Sequence, residues 1–442
     1  MSNWRTRATA SLVATVVVAG LLLNGAAANA AQALLMALLA TACGLLALTP
    51  KSAMDDKADP LALSVPLLVP VGLAVFTLPV VPTSLSTVAS EASRWLFCAI
   101  GVAVFALIRP QRESETDVWV VGAIALWVAL VITHRAIEPD LPFGVLTVRT
   151  SNYQGWAPLI NPNFNATPLL LALPLAARPL LRWRTSRPDR KVMAGAAIVA
   201  SVAALAFIGA VGPWVALVGG VVFFCARGFV HPSRRVAAFI TGTVAVLVAA
   251  LVAWVELRAP TDSSASLRVD QWNRSIVLFL DHWVLGTGVG GYREAYTAIQ
   301  NPFRFARFDH AHSDPLEGVI ELGALGALAV CAVAFWSWRT KRRDPWSRAS
   351  LVEVGLVATL IHACVDFPLQ LPGIALLVAL AIAWRVAVYE TARTAHPLPP
   401  KAVTGTLAVL GLIGASWLAY EGWLDHRVQM LRTSHTTSED TG

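Results

Sequence analysis

The chain has 442 residues, 56% of them hydrophobic and only 14% charged, with a mean hydropathy of +0.62. Soluble globular proteins are about 45–50% apolar and about 25% charged, so this composition excludes a disordered chain, a disulfide scaffold and a large soluble enzyme. The net charge of +7 would suggest nucleic acid in a soluble chain, but the basic residues here lie between apolar blocks, where they set membrane topology.

A helix needs about 20 apolar residues to cross the hydrocarbon core. That rule predicts thirteen spans, near 9–24, 28–49, 61–81, 92–108, 117–136, 165–181, 191–209, 212–229, 235–257, 316–338, 350–366, 371–389 and 402–420. The expected fold is all-α, a polytopic integral membrane helical bundle of 12–13 transmembrane helices with one long periplasmic loop. The uncertainty of one span lies at the start. Arg5 and Arg7, the apolar run from Leu12 to Leu23 and Ala28-Asn29-Ala30 fit either a retained helix or a secretory signal with a small-residue cleavage site. Both leave the other spans in the same orientation.

Most of the 34 Lys and Arg residues fall on one side when the N-terminus is placed in the cytoplasm, among them Arg5, Lys51, Arg109, the cluster Arg178 to Lys191, Arg227, Arg339 to Arg343, Arg385 and Lys401. The positive-inside rule then puts the long segment 258–315 outside. The expected division is N-terminal helices over 1–257, a long periplasmic loop over 258–315, and C-terminal helices with a short tail over 316–442. The five cysteines, Cys43, Cys98, Cys225, Cys331 and Cys364, lie in apolar stretches without a metal spacing. They read as small core residues, so neither a disulfide framework nor a metal site is expected.

Polar groups that can do chemistry concentrate in and around the long loop. Arg258, Arg268, Arg274, Arg293, Arg304 and Arg307 are matched there by Asp262, Asp270, Asp281, Glu294, Asp309 and Asp314. This balance, with aromatics such as Trp272, Trp283, Tyr292 and Tyr296, suits a folded loop with specific pairs better than a solvated connector. The apolar run Ile276 to Leu285 suits a short helix on the membrane surface. The glycine run Gly286 to Gly291 reads as a tight turn, since it has neither the strand–turn–helix setting of a dinucleotide site nor the lysine of a phosphate loop.

The run His310-Ala311-His312-Ser313-Asp314-Pro315-Leu316-Glu317 resembles a helix start, with Asp314 as N-cap, Pro315 at the first position and Glu317 at the third. His312 then precedes a helix N-terminus suited to an anion such as a phosphate, where a histidine can act as base near neutral pH. The bland alternative is that both histidines only pack at the interface. Glu317 and Glu321 lie one turn apart on one helix face and need partners. His362 with Asp366, and Asn161, Asn163 and Asn165 around Pro162, add polar clusters at the same expected depth. His362 and Asp366 read equally as a structural pair or as support for the loop.

At these residues the sequence resembles the O-antigen ligase family. The resemblance runs from Leu267-Arg268 through Asp270-Gln271-Trp272, Asp281 to Gly290, Tyr292 and His310 to Asp314, to Glu321-Leu322-Gly323-Ala324-Leu325-Gly326. It includes a later block, His362 to Pro372, and an earlier one, Asn161 to Ala166. What it implies is a membrane glycosyltransferase of the bacterial inner membrane. Such an enzyme transfers a glycan from undecaprenyl diphosphate to an acceptor hydroxyl, on lipid A core or similar, at the periplasmic face. No cofactor, metal or nucleic acid is implied; the partners are the lipid-linked glycan donor, a lipid or glycan acceptor and membrane lipids. By the same resemblance His312 is the base candidate with His310 as its substitute, Arg268 the main diphosphate clamp and Arg274 a weaker one, with Asn163 and Glu321 as further substrate-binding candidates.

The sequence departs from the family at Ser313, where asparagine is usual, and at Pro315, where an aromatic is usual. A mid-chain Ser-Arg pair is replaced by Gly209-Ala210-Val211-Gly212-Pro213-Trp214. Either another arginine, such as Arg135 or Arg149, supplies that charge or the activity is altered or lost. A lipid-linked glycan polymerase is the near alternative, and a transporter or flippase without covalent chemistry is the competitor from another class.

Overall fold

A computed structural model describes residues 4–22, 29–47, 67–68, 71–72, 83–108, 113–137, 159, 161–182, 184, 186–228, 264–300, 308–338, 348–389 and 400–439. Among these residues the chain is all-helical, as expected. The helices are α1 (Trp4–Leu22), α2 (Asn29–Ala47), α3 (Leu85–Ile108), α4 (Glu113–Ile137), α5 (Pro162–Ala176), the single turn α6 (Arg178–Leu181), α7 (Pro188–Ile208), α8 (Val211–Gly228), α9 (Ser264–Asp281), α10 (Tyr292–Ile299), α11 (Asp314–Trp338), α12 (Arg348–Ala363), α13 (Pro372–Tyr389) and α14 (Pro400–Glu439). Eleven of the thirteen expected spans coincide with helices. The third, apart from four residues, and the ninth lie outside the described residues.

Five described stretches are long and apolar enough to cross a membrane: Leu85–Phe105, Pro162–Leu181, Pro188–Ile208, Asp314–Ala332 and Gly405–Leu424. Shorter apolar helices fill the other described span positions. Local chemistry sets several boundaries. Asn161 caps α5, its Oδ1 accepting from the Asn163 N–H at 2.9 Å, with Pro162 at the first helical position, where a missing N–H costs nothing. Gly209 ends α7 in a left-handed conformation, φ 69°, the usual terminator.

Two packed groups of helices share α13. In the first, α1, α2, α3, α13 and α14 bury Val16, Met36, Leu39, Phe97, Ile100, Leu376 and Leu418. In the second, α4, α5 and α7 close on α13 around Val131, Leu169, Leu205 and Ile374. Helices α8 and α12 pack on α5. Two details differ from the sequence reading. Arg385, expected in a loop, is 3% exposed inside α13, its Nε 2.7 Å from Glu353 Oε1 of α12; burying a guanidinium is tolerable only with such a partner. Cys43 and Cys98 are buried as expected, whereas Cys331, on α11, and Cys364, in the turn after α12, are exposed.

The expected loop is a folded layer. Helix α9 turns Gln271, Ser275 and Leu278 inward and leaves Ile276, Val277 and Leu280 exposed, the amphipathic pattern of a helix lying against an apolar phase. Leu278, Tyr292, Tyr296, Ala311 and Ile320 form a small core between α9, α10 and α11.

The glycine turn joins this layer to α11 through a break in that helix. Gly323 has φ 63° and ψ −176°, far from helical. The carbonyls of Ile320 and Glu321 accept from the Thr287 and Gly288 N–H groups at 2.9 and 3.0 Å, and the Ala324 and Leu325 N–H groups donate to Trp283 and Val284 O at 2.7 and 3.3 Å. A continuous helix would pair these groups with one another; here each finds a partner in the turn, as buried backbone must. The approach leaves no room for side chains. A Cβ on Gly286 would meet the Glu321 carbonyl, and one on Gly323 the Val284 carbonyl.

This joint predicts a contrast within one helix. Gly323→Ala, strained in backbone and blocked in space, should cost at least ~2 kcal/mol, read as a lowered melting temperature in detergent. Gly318→Ala, where a Cβ has nothing within 4 Å, should be neutral or stabilising by up to about 1 kcal/mol.

Candidate functional site

The two-histidine segment is held from both sides. From α9, Gln271 Nε2 donates to the His310 carbonyl at 2.5 Å and Trp272 Nε1 to the Ala311 carbonyl at 2.8 Å. Gln271 also donates to the Tyr292 hydroxyl at 3.1 Å, which lies 2.9 Å from Ser275 Oγ. From α11, Glu317 accepts from the Ala311 N–H at 2.7 Å through Oε2, and its Oε1 lies 2.9 Å from His310 Nδ1.

The start of α11 differs from the sequence reading. Ser313 is the cap: its carbonyl accepts from Glu317 N–H at 2.9 Å and its Oγ lies 3.4 Å from Leu316 N. Asp314 is instead drawn into tertiary bonds. Its N–H donates to the Asp366 carbonyl at 3.2 Å and its Oδ2 accepts from Leu369 N–H at 2.9 Å. With Ser313 capping, Glu317 is free of the cap and turns to the histidine segment.

His312 has φ 51°, unusual for a residue with a β-carbon. Its ring packs edge-on against Phe308 and Phe367, with centroids 6.0 and 4.7 Å away, while His310 stacks on Phe367 at 4.8 Å. His312 Nδ1 is 3.9 Å from Asp366 Oδ1, beyond hydrogen-bond reach, and has no hydrogen-bond partner among the described residues. Burial, then the positive charge of Arg268 and the neighbouring His310, push its pKa down to about 4. Asp366 is shifted upward by burial, opposed by Arg268 and by hydrogen bonds from the Phe367 N–H and the Asn163 side chain.

The other candidates fall into place around this segment. Arg268, on α9, is half-buried and near enough to act on His312, Asp366 and His362; among the described residues it makes no ion pair. Arg274 is engaged, its Nε 3.3 Å from Asp270 Oδ2 and its Nη1 3.5 Å from the Ile299 carbonyl. Asn163 reaches Asp366, and Asn165 is structural, bonding Leu159 and Asn161. Glu321 accepts from the Tyr292 N–H at 3.4 Å and from Gly290. His362 and Asp366 do not pair with each other. The His362 Nδ1 lies 3.2 Å from Thr167 Oγ1, and its ring packs 3.4 Å from where a Cβ on Gly212 would sit. Arg149 and the Arg135 side chain lie outside the described residues.

Two groups have partners that the sequence reading did not give. Arg94, 9% exposed in the third turn of α3, is the cation of a buried acid cluster. It lies 2.5 Å from Glu91, bonds Gln370, and acts on Glu317, Glu321 and Asp314. The signal was present as an acid and a base three residues apart at the end of an apolar span, and intramembrane charges demand partners. Glu294 caps α3 from α10, accepting from Ser84 N–H at 3.2 Å, Ser84 Oγ at 3.1 Å and Thr87 Oγ1 at 2.6 Å. Burial opposes its charge, but those bonds outweigh it and lower its pKa.

These features define a multi-pass helical membrane protein with a buried, charge-rich site where a broken helix meets a folded loop layer. Residues 169–331 match the model of the O-antigen ligase family. The match contains Arg268, Arg274, His310, His312, Glu317 and Glu321, while Asn163, His362 and Asp366 lie outside it. No curated protein sequence matches the chain.

The His312 environment predicts an acid-side instability. A histidine that titrates near 6.5 when unfolded and near 4 when folded takes up its proton first in the unfolded chain. Its contribution is therefore intact above about pH 6.5 and is lost as pH falls toward 4. The loss is on the order of 3 kcal/mol. Melting temperature should fall over that window, and more steeply for the wild-type chain than for His312→Asn, which tolerates the same backbone; parallel slopes would contradict this.

Proposed function

We propose that the protein is a membrane glycosyltransferase of the O-antigen ligase type. It transfers a glycan from undecaprenyl diphosphate to an acceptor hydroxyl, on lipid A core or a similar lipid, at the periplasmic face of the bacterial inner membrane. The observation that carries this reading is Arg268, a guanidinium without an ion-pair partner among the described residues, set beside the two-histidine segment inside the stretch that matches the family model.

Such transfer needs two things of a protein. The departing diphosphate gains negative charge, which a guanidinium stabilises through paired N–H donors. The acceptor hydroxyl must lose its proton as the new bond forms, which an imidazole near the reacting centre accepts. Arg268 supplies the first, and the His310–His312 segment the second. Arg274 is committed to Asp270, so the clamp falls mainly to Arg268. Asn163, through Asp366, and Glu321, through Tyr292 and Gly290, hold the walls against which the donor rests.

The test is transfer in proteoliposomes holding purified protein, undecaprenyl-diphosphate-linked glycan and a lipid acceptor. The wild-type protein should extend the acceptor and release undecaprenyl diphosphate in equal amounts, and Arg268→Gln should lower the rate about 100-fold. Elongation of the lipid-linked glycan itself, with the added acceptor untouched, would make the protein a polymerase. An intact donor, or full activity in Arg268→Gln, would remove this reading.

A further inference from the structure

One aromatic ring touches both histidines of the site. Phe367 stacks on His310 at 4.8 Å, meets His312 edge-on at 4.7 Å and packs edge-on against Phe164 of α5 at 5.0 Å. It stands at the head of a single 3-10 turn, Pro368–Gln370, in the connection from α12 to α13. The bonds within that turn, from Gln370 N–H to the Phe367 carbonyl and from Leu371 N–H to the Pro368 carbonyl, are 3.2 Å each. They close the turn without tying it to the rest of the molecule. Two further bonds reach the start of α11: the Asp314 N–H donates to the Asp366 carbonyl at 3.2 Å, and Asp314 Oδ2 accepts from Leu369 N–H at 2.9 Å. On the other side stands Arg94 of α3, whose Nη1 donates to the Gln370 carbonyl at 3.2 Å and to the Gln370 side-chain oxygen. We infer that Arg94 is a positioning residue of the site: through Gln370 it holds the turn that seats Phe367 against the histidine segment. The inference rests on the transferase reading above.

The simpler role for Arg94 is neutralisation. Its Nη2 lies 2.5 Å from Glu91 Oε2, and its charge reaches Asp314, Glu317 and Glu321; any cation at this place would serve them. The bonds ask for more than charge. One guanidinium spans from Glu91 on its own helix to two oxygens of Gln370, and its planar fork fixes both ends at once, whereas an ammonium donates from a single point. The side chain is buried, so water competes little for these bonds. Helix α3 is also a firm post for the turn. Its stretch Leu85–Phe105 is long enough to cross the membrane. Its N-terminal end is tied to the loop layer through Glu294, which accepts from Ser84 and Thr87, and through the Thr83 hydroxyl, which donates to the Thr287 carbonyl. The Arg94–Gln370 bonds therefore place Phe367 relative to the same helix that carries the loop layer. Small errors in such placement lower the rate of a reaction that needs its groups aligned.

Two substitutions separate placement from charge. Arg94→Lys keeps the charge and loses the fork, while Gln370→Ala keeps every charge and loses the side-chain end of the connection. In the proteoliposome assay each should lower kcat by about 10- to 100-fold, with KM for the lipid-linked donor within roughly twofold. The double variant should fall less than about twofold below the weaker of the two, because both changes break one connection. Full activity in Arg94→Lys would mean that charge alone is needed, and multiplied losses in the double variant would mean that the residues act separately. Either result would overturn the assignment. Gln370→Ala decides the matter where Arg94→Lys does not fold, and a normal kcat there would overturn it too. Carbethoxylation of the histidines in detergent, followed by mass spectrometry, reads the same placement without turnover. Gln370→Ala should speed modification of His310 and His312 together by about fivefold or more, as Phe367 loosens from both rings. Unchanged rates would overturn the assignment. Raised rates in a protein that transfers nothing would uphold the placement role and remove only the transferase reading.

Discussion

The site depends on the exchange of backbone hydrogen bonds between the break in α11 and the glycine turn. Ile320, Glu321, Ala324 and Leu325 give up helical partners and bond Thr287, Gly288, Trp283 and Val284. In an apolar setting each unpaired group would cost several kcal/mol, so neither the break nor the turn is stable without the other. Gly286 and Gly323 are the residues that let the two backbones approach. From this joint the first turns of α11 present Glu317 to the histidine segment and Glu321 to the start of α10. The turn in turn carries Tyr292, whose hydroxyl bonds Gln271 and Ser275 of α9.

The second constraint is charge. Glu317, Glu321 and Asp314 are all buried, and burial of like charges is costly unless each is paired. Arg94 sits among them and is itself tied to Gln370 in the α12–α13 connection. The arrangement therefore couples α3, α11 and the start of α13 around one guanidinium. Stability is given up for placement, a compromise expected where a protein must hold charged groups ready for chemistry.

Much of this was legible in the sequence. Apolar run lengths give the helices, since the hydrocarbon core fixes their size. The balance of arginines and carboxylates with aromatics in 258–315 marks a folded layer, and Arg274–Asp270 and Arg293–Asp309 are pairs within it. From the asparagine cluster, Asn163 reaches Asp366, which lies 3.9 Å from His312. What escaped depends on tertiary competition. Ser313-Asp314-Pro315 offers two capping side chains, and Ser313 caps because Asp314 is claimed by Leu369 and Asp366. Glu321 to Gly326 reads as uninterrupted apolar helix; the break at Gly323 appears only when the glycine turn supplies partners. Glu294 and Ser84 stand more than two hundred residues apart, and no local pattern announces their bond.

The geometry serves the proposed chemistry through placement. A guanidinium without an ion-pair partner among the described residues acts on His312 and Asp366, on a layer tied by backbone bonds to a membrane helix. The most direct measurement of the central claim is the size distribution of lipid-linked and surface glycan in cells lacking the gene. The account predicts glycan accumulating on undecaprenyl diphosphate, as full-length polymer beside bare surface acceptor for a ligase or as single repeat units for a polymerase. Unchanged lipid-linked and surface pools would contradict it.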